Sequence, residues 1–211
     1  MSEVLEQIGK LKLVPVVAID DPEAAAPLGE ALLAGGLPIA EITFRTSAAE
    51  ASIRAIAKQQ GMLVGAGTVL NPDTAKRAVD AGARFIVSPG FNPKTVRWCL
   101  DNKVPITPGI ATPTDIEMAL DHGLNVVKFF PAEALGGIKT LQAFAAPFGM
   151  MRFMPTGGIT PENLEKYLAF PKVIACGGSW MATKELIAGK QFDKITAMTR
   201  DAVQLAQRIR P

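Results

Sequence analysis

The stretch M-L-V-G-A-G-T-V-L-N-P, Met62 to Pro72, decides between two folds. Its apolar start, Met62–Gly65, reads as a short buried strand. Its end, Asn71-Pro72, reads as a helix start, with asparagine as the capping side chain and proline in the first turn. Strand, glycine turn and helix together open a βα unit. An open doubly wound sheet would carry its dinucleotide fingerprint here. Gly65-Ala-Gly67 is not followed by the third glycine, and a lone G-x-G is a weak signal.

The same unit recurs along the chain. Candidate strands are Leu13–Ile19, Pro38–Thr43, Met62–Gly65, Arg84–Ser88, Val104–Thr107, Asn125–Phe129, Met151–Pro155 and Val173–Cys176. Helical stretches lie between them, among them Pro22–Ala34, Ala48–Lys58, Pro72–Ala81, Pro93–Asp101, Pro113–Asp121, Ile138–Ala145 and Pro161–Ala169. Strands alternating with helices imply right-handed βαβ units and a parallel sheet. Eight of them point to an α/β fold of the (β/α)8 TIM barrel type, with the open doubly wound sheet as runner-up. Residues 1–211 show no linker and no low-complexity segment, so a single barrel domain is expected. M-S-E-V-L-E-Q-I-G-K reads as an extra N-terminal amphipathic helix and not a signal peptide. Phe192–Arg210 reads as a closing amphipathic helix.

Composition narrows the function classes. The 211 residues are 48% hydrophobic and 20% charged, and no apolar run reaches the length of a membrane span. Two distant cysteines, Cys99 and Cys176, fit a reduced compartment, so a cytoplasmic protein is expected. A net charge of +2 with scattered Lys and Arg argues against a nucleic-acid partner. One histidine and no carboxylate or cysteine cluster argue against a protein-bound catalytic metal.

In such barrels chemistry sits at the C-terminal ends of the strands. The second candidate strand ends A-E-I-T-F-R-T. Glu41, Thr43 and Arg45 share one parity and Ile42 and Phe44 the other. The polar set would point inward, though an exposed, salt-bridged edge would carry the same residues. Thr68 follows the third strand, as a ligand or as a turn-and-cap residue. S-P-G (Ser88–Gly90) and T-P-G (Thr107–Gly109) read first as rigid turns. The sixth strand carries Lys128 within V-V-K-F-F-P-A-E, Val126 to Glu133. A buried lysine either pairs with a carboxylate such as Glu41 or, desolvated and neutral, attacks a ketone. The seventh and eighth strands end in P-T-G-G-I and C-G-G-S-W, each with a Gly-Gly pair expected just before a helix. That is the usual phosphate position of this fold. His122, Cys176, Trp98 and Trp180 read as capping or packing residues. Glu133 reads as a cap or as a holder of a neighbouring loop.

E-I-T-F-R-T, G-A-G-T-V-L, V-S-P-G, V-K-F-F-P-A-E, P-T-G-G-I and C-G-G-S-W occur in this order. Together the motifs resemble the class I aldolases that act on 2-dehydro-3-deoxy-phosphogluconate (KDPG) or 4-hydroxy-2-oxoglutarate (KHG), over nearly the whole chain. The resemblance implies a Schiff-base lysine at Lys128 and a general acid/base at Glu41. It implies that Arg45 and Thr68 bind the pyruvyl end, with Pro89, Phe130 and Thr156 completing the substrate set. It places the phosphate at Gly157, Gly158, Gly178 and Ser179. It further implies no cofactor, no metal, a phosphorylated keto sugar acid and pyruvate as small-molecule partners, and a homotrimer. Phe44 stands where leucine is common, on the parity that faces away from the site. Rival readings are the galactonate-epimer enzyme, a KHG aldolase, a sugar-phosphate isomerase or epimerase barrel, and a silent phosphate-binding barrel.

Overall fold

The computed structural model describes residues 2–211. Helix α1 (Glu3–Leu11) is capped by the Ser2 side chain, which accepts from the Leu5 N–H. Nine strand segments follow: β1 (Leu13–Val17), β2 (Ile39–Thr43), β3 (Leu63–Gly67), β4 (Ile86–Val87), β5 (Ile106–Thr107), β6 (Gly109–Ile110), β7 (Val126–Phe129), β8 (Arg152–Pro155) and β9 (Cys176–Gly178). Between and after them run α2 (Ala25–Ala34), α3 (Ala49–Ala57), α4 (Pro72–Asp80), α5 (Pro93–Asp101), α6 (Pro113–Asp121), α7 (Gly137–Ala145), α8 (Leu164–Leu168), α9 (Lys184–Ala188) and α10 (Phe192–Ile209). Every strand pair is parallel, in the orders β5-β4-β3-β2-β1-β9 and β6-β7-β8. The sheet curls in the manner of a TIM-like α/β fold. Its helices bury Leu, Ile, Val and Ala against the strands, with Ile8, Leu28, Ile53, Ile116 and Leu141 fully buried.

The proline-led helix starts form for the expected reasons. Asn71 accepts from Thr74 N at 2.8 Å, Asn92 from Lys94 N at 3.0 Å, and Thr112 forms a capping box with Asp115. Each cap satisfies a donor that the first turn leaves without a partner.

Several boundaries differ from the sequence reading. The fifth strand is split, because Pro108 has no N–H to donate between β5 and β6. The helix expected over Pro161–Ala169 begins only at Leu164. Asn163 spends its side chain on the preceding turn, accepting from Thr160 N and donating to Gly158 O. The eighth strand is Cys176–Gly178 and not Val173–Cys176; Val173 meets the sheet only through an isolated bridge to Phe153. Gly177-Gly178 therefore lies inside a strand, and the short helix α9, which the sequence reading lacked, begins six residues later at Lys184. Neither Gly-Gly pair directly opens a helix.

Parallel register carries one face from strand to strand. Val16 pairs with Glu41, Glu41 with Gly65, Gly109 with Lys128, and Lys128 with Met154. On β2 the opposite face holds Ile42. Beyond the strand, Phe44 lies under the Arg77 guanidinium of α4, 5.8 Å from ring centroid to carbon. The parity reading of that strand is what the structure contains.

Candidate active site

Lys128 on β7 and Glu41 on β2 meet inside the curled sheet, Nζ to Oε1 at 3.3 Å. Both are buried, at 5% and 1% exposure. The second carboxylate oxygen, Oε2 of Glu41, has no partner among the described residues. A buried acceptor without a donor is costly in a merely structural residue and marks a place where another group belongs. The Phe130 ring centroid lies 5.1 Å from the amine nitrogen. Lys128 therefore has one carboxylate, one aromatic face and little solvent.

Thr43 donates its hydroxyl to Val17 O at 2.8 Å, and Arg45 Nε donates to Thr43 Oγ1 at 3.0 Å. This fixes the root of an otherwise exposed arginine just past the end of β2. Arg45 then lines a cavity of about 150 Å³ together with Phe130 and Thr156. Gly157, Gly158, Gly178 and Ser179 line it as well. Gly157 and Gly158 have φ of 96° and 79°, a region open to glycine and strained for other residues. The N–H groups of Gly158 and Ser179 donate to no acceptor among the described residues. The cavity offers one guanidinium and free backbone donors, the chemistry that receives an anion.

Four predicted residues fall outside that lining: the buried Lys128–Glu41 pair, Thr68 and Pro89. Thr68 lies just past β3 with φ of 56°. Pro89 presses its carbonyl against Gly109, the register partner of Lys128. A larger cavity of about 330 Å³ lies by Ser2, Leu5, Val104 and Asn125, at the opposite ends of the strands.

Three glycines matter that sequence reasoning left out of the site. A Cβ on Gly67 would collide with the Glu41 carboxylate, one on Gly177 with the Thr156 hydroxyl, and one on Gly109 with Pro89 O. Each is glycine because a site residue lies against its bare backbone. The signal was present in G-A-G, but only the register shows which side chain needs the space.

Glu133, ambiguous in the sequence, holds a loop. Its N–H donates to Gly157 O at 3.1 Å, and its carboxylate accepts from the Tyr167 hydroxyl. Burial, then the hydrogen bond to Glu133, pushes the Tyr167 phenol above its ordinary range. His122 caps α6 and stacks edge-on with Phe91. Burial pushes the thiol of Cys99 up to about 12 and that of Cys176 higher still. No group of three His, Cys, Asp or Glu able to hold a metal occurs among the described residues. No helix among them is long and apolar enough to cross a membrane.

A buried lysine–glutamate pair stands in a parallel, TIM-like α/β fold beside an anion-receptive glycine cavity, an arrangement suited to an enzyme. The chain belongs to the KDPG and KHG aldolase family, whose model matches residues 4–198. It is 48% identical over 206 residues to the 2-dehydro-3-deoxy-phosphogluconate aldolase of Treponema pallidum, covering 97% of this chain and 98% of that one. The crystal structure of the Zymomonas mobilis ZM4 2-keto-3-deoxy-6-phosphogluconate aldolase with 3-phosphoglycerate matches at 40% identity and a TM-score of 0.88, covering 95% of each chain. The Legionella pneumophila KDPG aldolase, with pyruvate captured as a covalent carbinolamine, matches at 36% identity and a TM-score of 0.91, covering 95% of this chain and 98% of that one.

Proposed function

We propose that this chain is a class I aldolase that cleaves 2-dehydro-3-deoxy-6-phospho-D-gluconate to pyruvate and D-glyceraldehyde 3-phosphate, the aldol step of the Entner–Doudoroff pathway. The observation that carries the reading is the buried Lys128–Glu41 contact at 3.3 Å with Glu41 Oε2 free. A proton passed from Nζ to Glu41 leaves a neutral amine, which attacks the C2 ketone to give a carbinolamine. Glu41 returns that proton to the departing hydroxyl, and loss of water leaves a protonated imine, an electron sink that needs no metal or cofactor. Glu41, directly or through a water, removes the C4 hydroxyl proton. The C3–C4 bond breaks, glyceraldehyde 3-phosphate leaves, and its bonding pair becomes the enamine of pyruvate. Protonation at C3 and hydrolysis then free pyruvate and Lys128. The carbinolamine of the Legionella relative supports the covalent step.

Arg45 suits the substrate carboxylate, because a guanidinium binds it through two donors. Thr68, Pro89, Phe130 and Thr156 complete the pocket, and Gly157, Gly158, Gly178 and Ser179 take the phosphate. The glycine cavity favours a phosphorylated substrate over 4-hydroxy-2-oxoglutarate, which would leave it idle. In this reading the whole chain is one (β/α)8 domain with α1 as an added helix. Parallel pairing within the six- and three-stranded sheets, the Thr156–Gly177 bridge between them and the single residue between β5 and β6 support it. Cytoplasmic location, supported by the two distant cysteines, and a homotrimer, supported by the family resemblance, complete the proposal.

The test is borohydride reduction in the presence of pyruvate. A permanent pyruvyl mass adduct on Lys128 is expected; folded protein without one would sink the assignment. Comparing cleavage of the gluconate and galactonate epimers and of 4-hydroxy-2-oxoglutarate then fixes the substrate.

A further inference from the structure

We propose that Glu133 and Tyr167 are a positioning pair that sets the Gly157–Gly158 turn, and with it the seat of the substrate's phosphate. The inference rests on the phosphate assignment above and names what holds that site in shape.

The segment that follows the Schiff-base strand is the template for the turn. Thr156 N donates to Phe129 O at 3.0 Å, Ala132 N to Thr156 O at 2.8 Å, and Glu133 N to Gly157 O at 3.1 Å. The two links are thus zipped together from β7 outward. Side chains continue the contact. A Cβ on Gly157 would lie 3.1 Å from Pro131 Cα, and one on Gly158 2.7 Å from Cβ and Cγ of Glu133. The stem of Glu133 is the surface on which Gly158 rests.

Glu133 itself is exposed, and an exposed glutamate normally samples several rotamers. Here it is held. The hydroxyl of fully buried Tyr167, on α8, donates to Oε1. The carboxylate also lies over Gly137, the first residue of α7, where a Cβ would be 3.0 Å from Oε1. A helix N-terminus favours that negative charge. Tyr167 sits in the helix that follows the turn, so the clamp closes a circuit: β7 link, Glu133, Tyr167, α8 and back to Gly158. Neither residue lines the cavity, so the pair acts through the backbone of the two glycines.

The test uses the full chain with Tyr167→Phe, which keeps the buried ring, and Glu133→Gln and Glu133→Ala. Steady-state kinetics are measured on the phosphorylated substrate and its unphosphorylated counterpart, with pyruvate trapping by borohydride and competitive inhibition by inorganic phosphate. Tyr167→Phe is expected to raise KM for the phosphorylated substrate roughly tenfold, the size of one lost hydrogen bond to a charged group, with kcat little changed. Phosphate inhibition should weaken by the same factor. Pyruvate trapping and turnover of the unphosphorylated compound should not move. Glu133→Gln keeps an acceptor and should be milder than Glu133→Ala. Equal losses on both substrates, slower pyruvate trapping, or an unchanged phosphate affinity would overturn the pair's role. If wild-type protein trapped no pyruvate, the aldolase reading would fall, and direct titration with inorganic phosphate would still decide the role of the pair.

Discussion

Lys128 Nζ stands 3.3 Å from Glu41 Oε1, and the other oxygen of that carboxylate has no partner. The two residues are 87 positions apart and reach one another only because β7 and β2 face across the curled sheet. The contact assigns separate jobs that separate substitutions should reveal. Lys128→Ala should abolish both cleavage and the trapped pyruvate adduct. Glu41→Gln should form the adduct only slowly, because the amine loses its base, and lower kcat by roughly 100- to 10,000-fold, the range of a lost general acid/base. Rapid-quench and mass measurements on the two variants separate these outcomes.

The same pair predicts a stability cost. Removing one partner of a buried ion pair leaves the other uncompensated, at about 3–5 kcal/mol. Lys128→Met should therefore lower the urea midpoint. The double substitution Lys128→Met/Glu41→Leu should recover most of the loss, since apolar packing can replace such a pair. A double variant no more stable than Lys128→Met would show that the pair is not in balance in the folded protein.

Gly65 and Gly67 look alike in G-A-G but should fail differently. A Cβ on Gly67 meets the Glu41 carboxylate, whereas one on Gly65 meets the buried Phe85 ring. Gly67→Ala should displace the acid/base and lower kcat on the order of 100-fold, as a small misplacement of a reacting group does. Gly65→Ala should mainly lower the melting temperature, because overpacking a core costs about 1–3 kcal/mol. Equal effects of the two on kcat would contradict the placement of Glu41.

This contrast shows where the sequence was legible. Alternation of apolar runs with proline-led helices was enough to place most of the strands, and parity alone put Glu41 on the opposite face from Phe44. Both are local properties of the chain. The split at Pro108 and the late start of β9 were not legible in the same way. A strand's ends depend on whether neighbours continue the ladder, and Val173 finds only one bridge. The space-making roles of Gly67, Gly109 and Gly177 depend on register between distant strands, which no window of sequence contains. Glu133 shows the same limit: its partner Tyr167 lies 34 residues away.

Arg45 supplies a further test. Its Nε is committed to Thr43 Oγ1, which leaves the terminal nitrogens of the fork for a ligand. Lysine keeps the charge but neither the anchor nor the paired donors. Arg45→Lys should raise KM for pyruvate in the trapping reaction roughly tenfold, about one charge-assisted hydrogen bond. An unchanged KM for pyruvate would move Arg45 away from the carboxylate.

The cysteines predict the alkaline limit of stability. Burial pushes the Cys99 thiol from 9.0 up to about 12 and raises Cys176 in the same direction. Between these values the unfolded chain has lost protons that the folded chain retains. Stability from these thiols is therefore full below about pH 9 and falls as pH rises toward 12. Chemical denaturation across pH 8–11 should show a steadily decreasing midpoint, and Cys99→Ala should flatten that slope. Native protein at pH 8 should leave both thiols unmodified by a disulfide reagent, with both reacting once denaturant is added, because a buried, protonated thiol is neither exposed nor nucleophilic. Rapid modification of either residue in the folded state would contradict their burial and remove the basis for the slope.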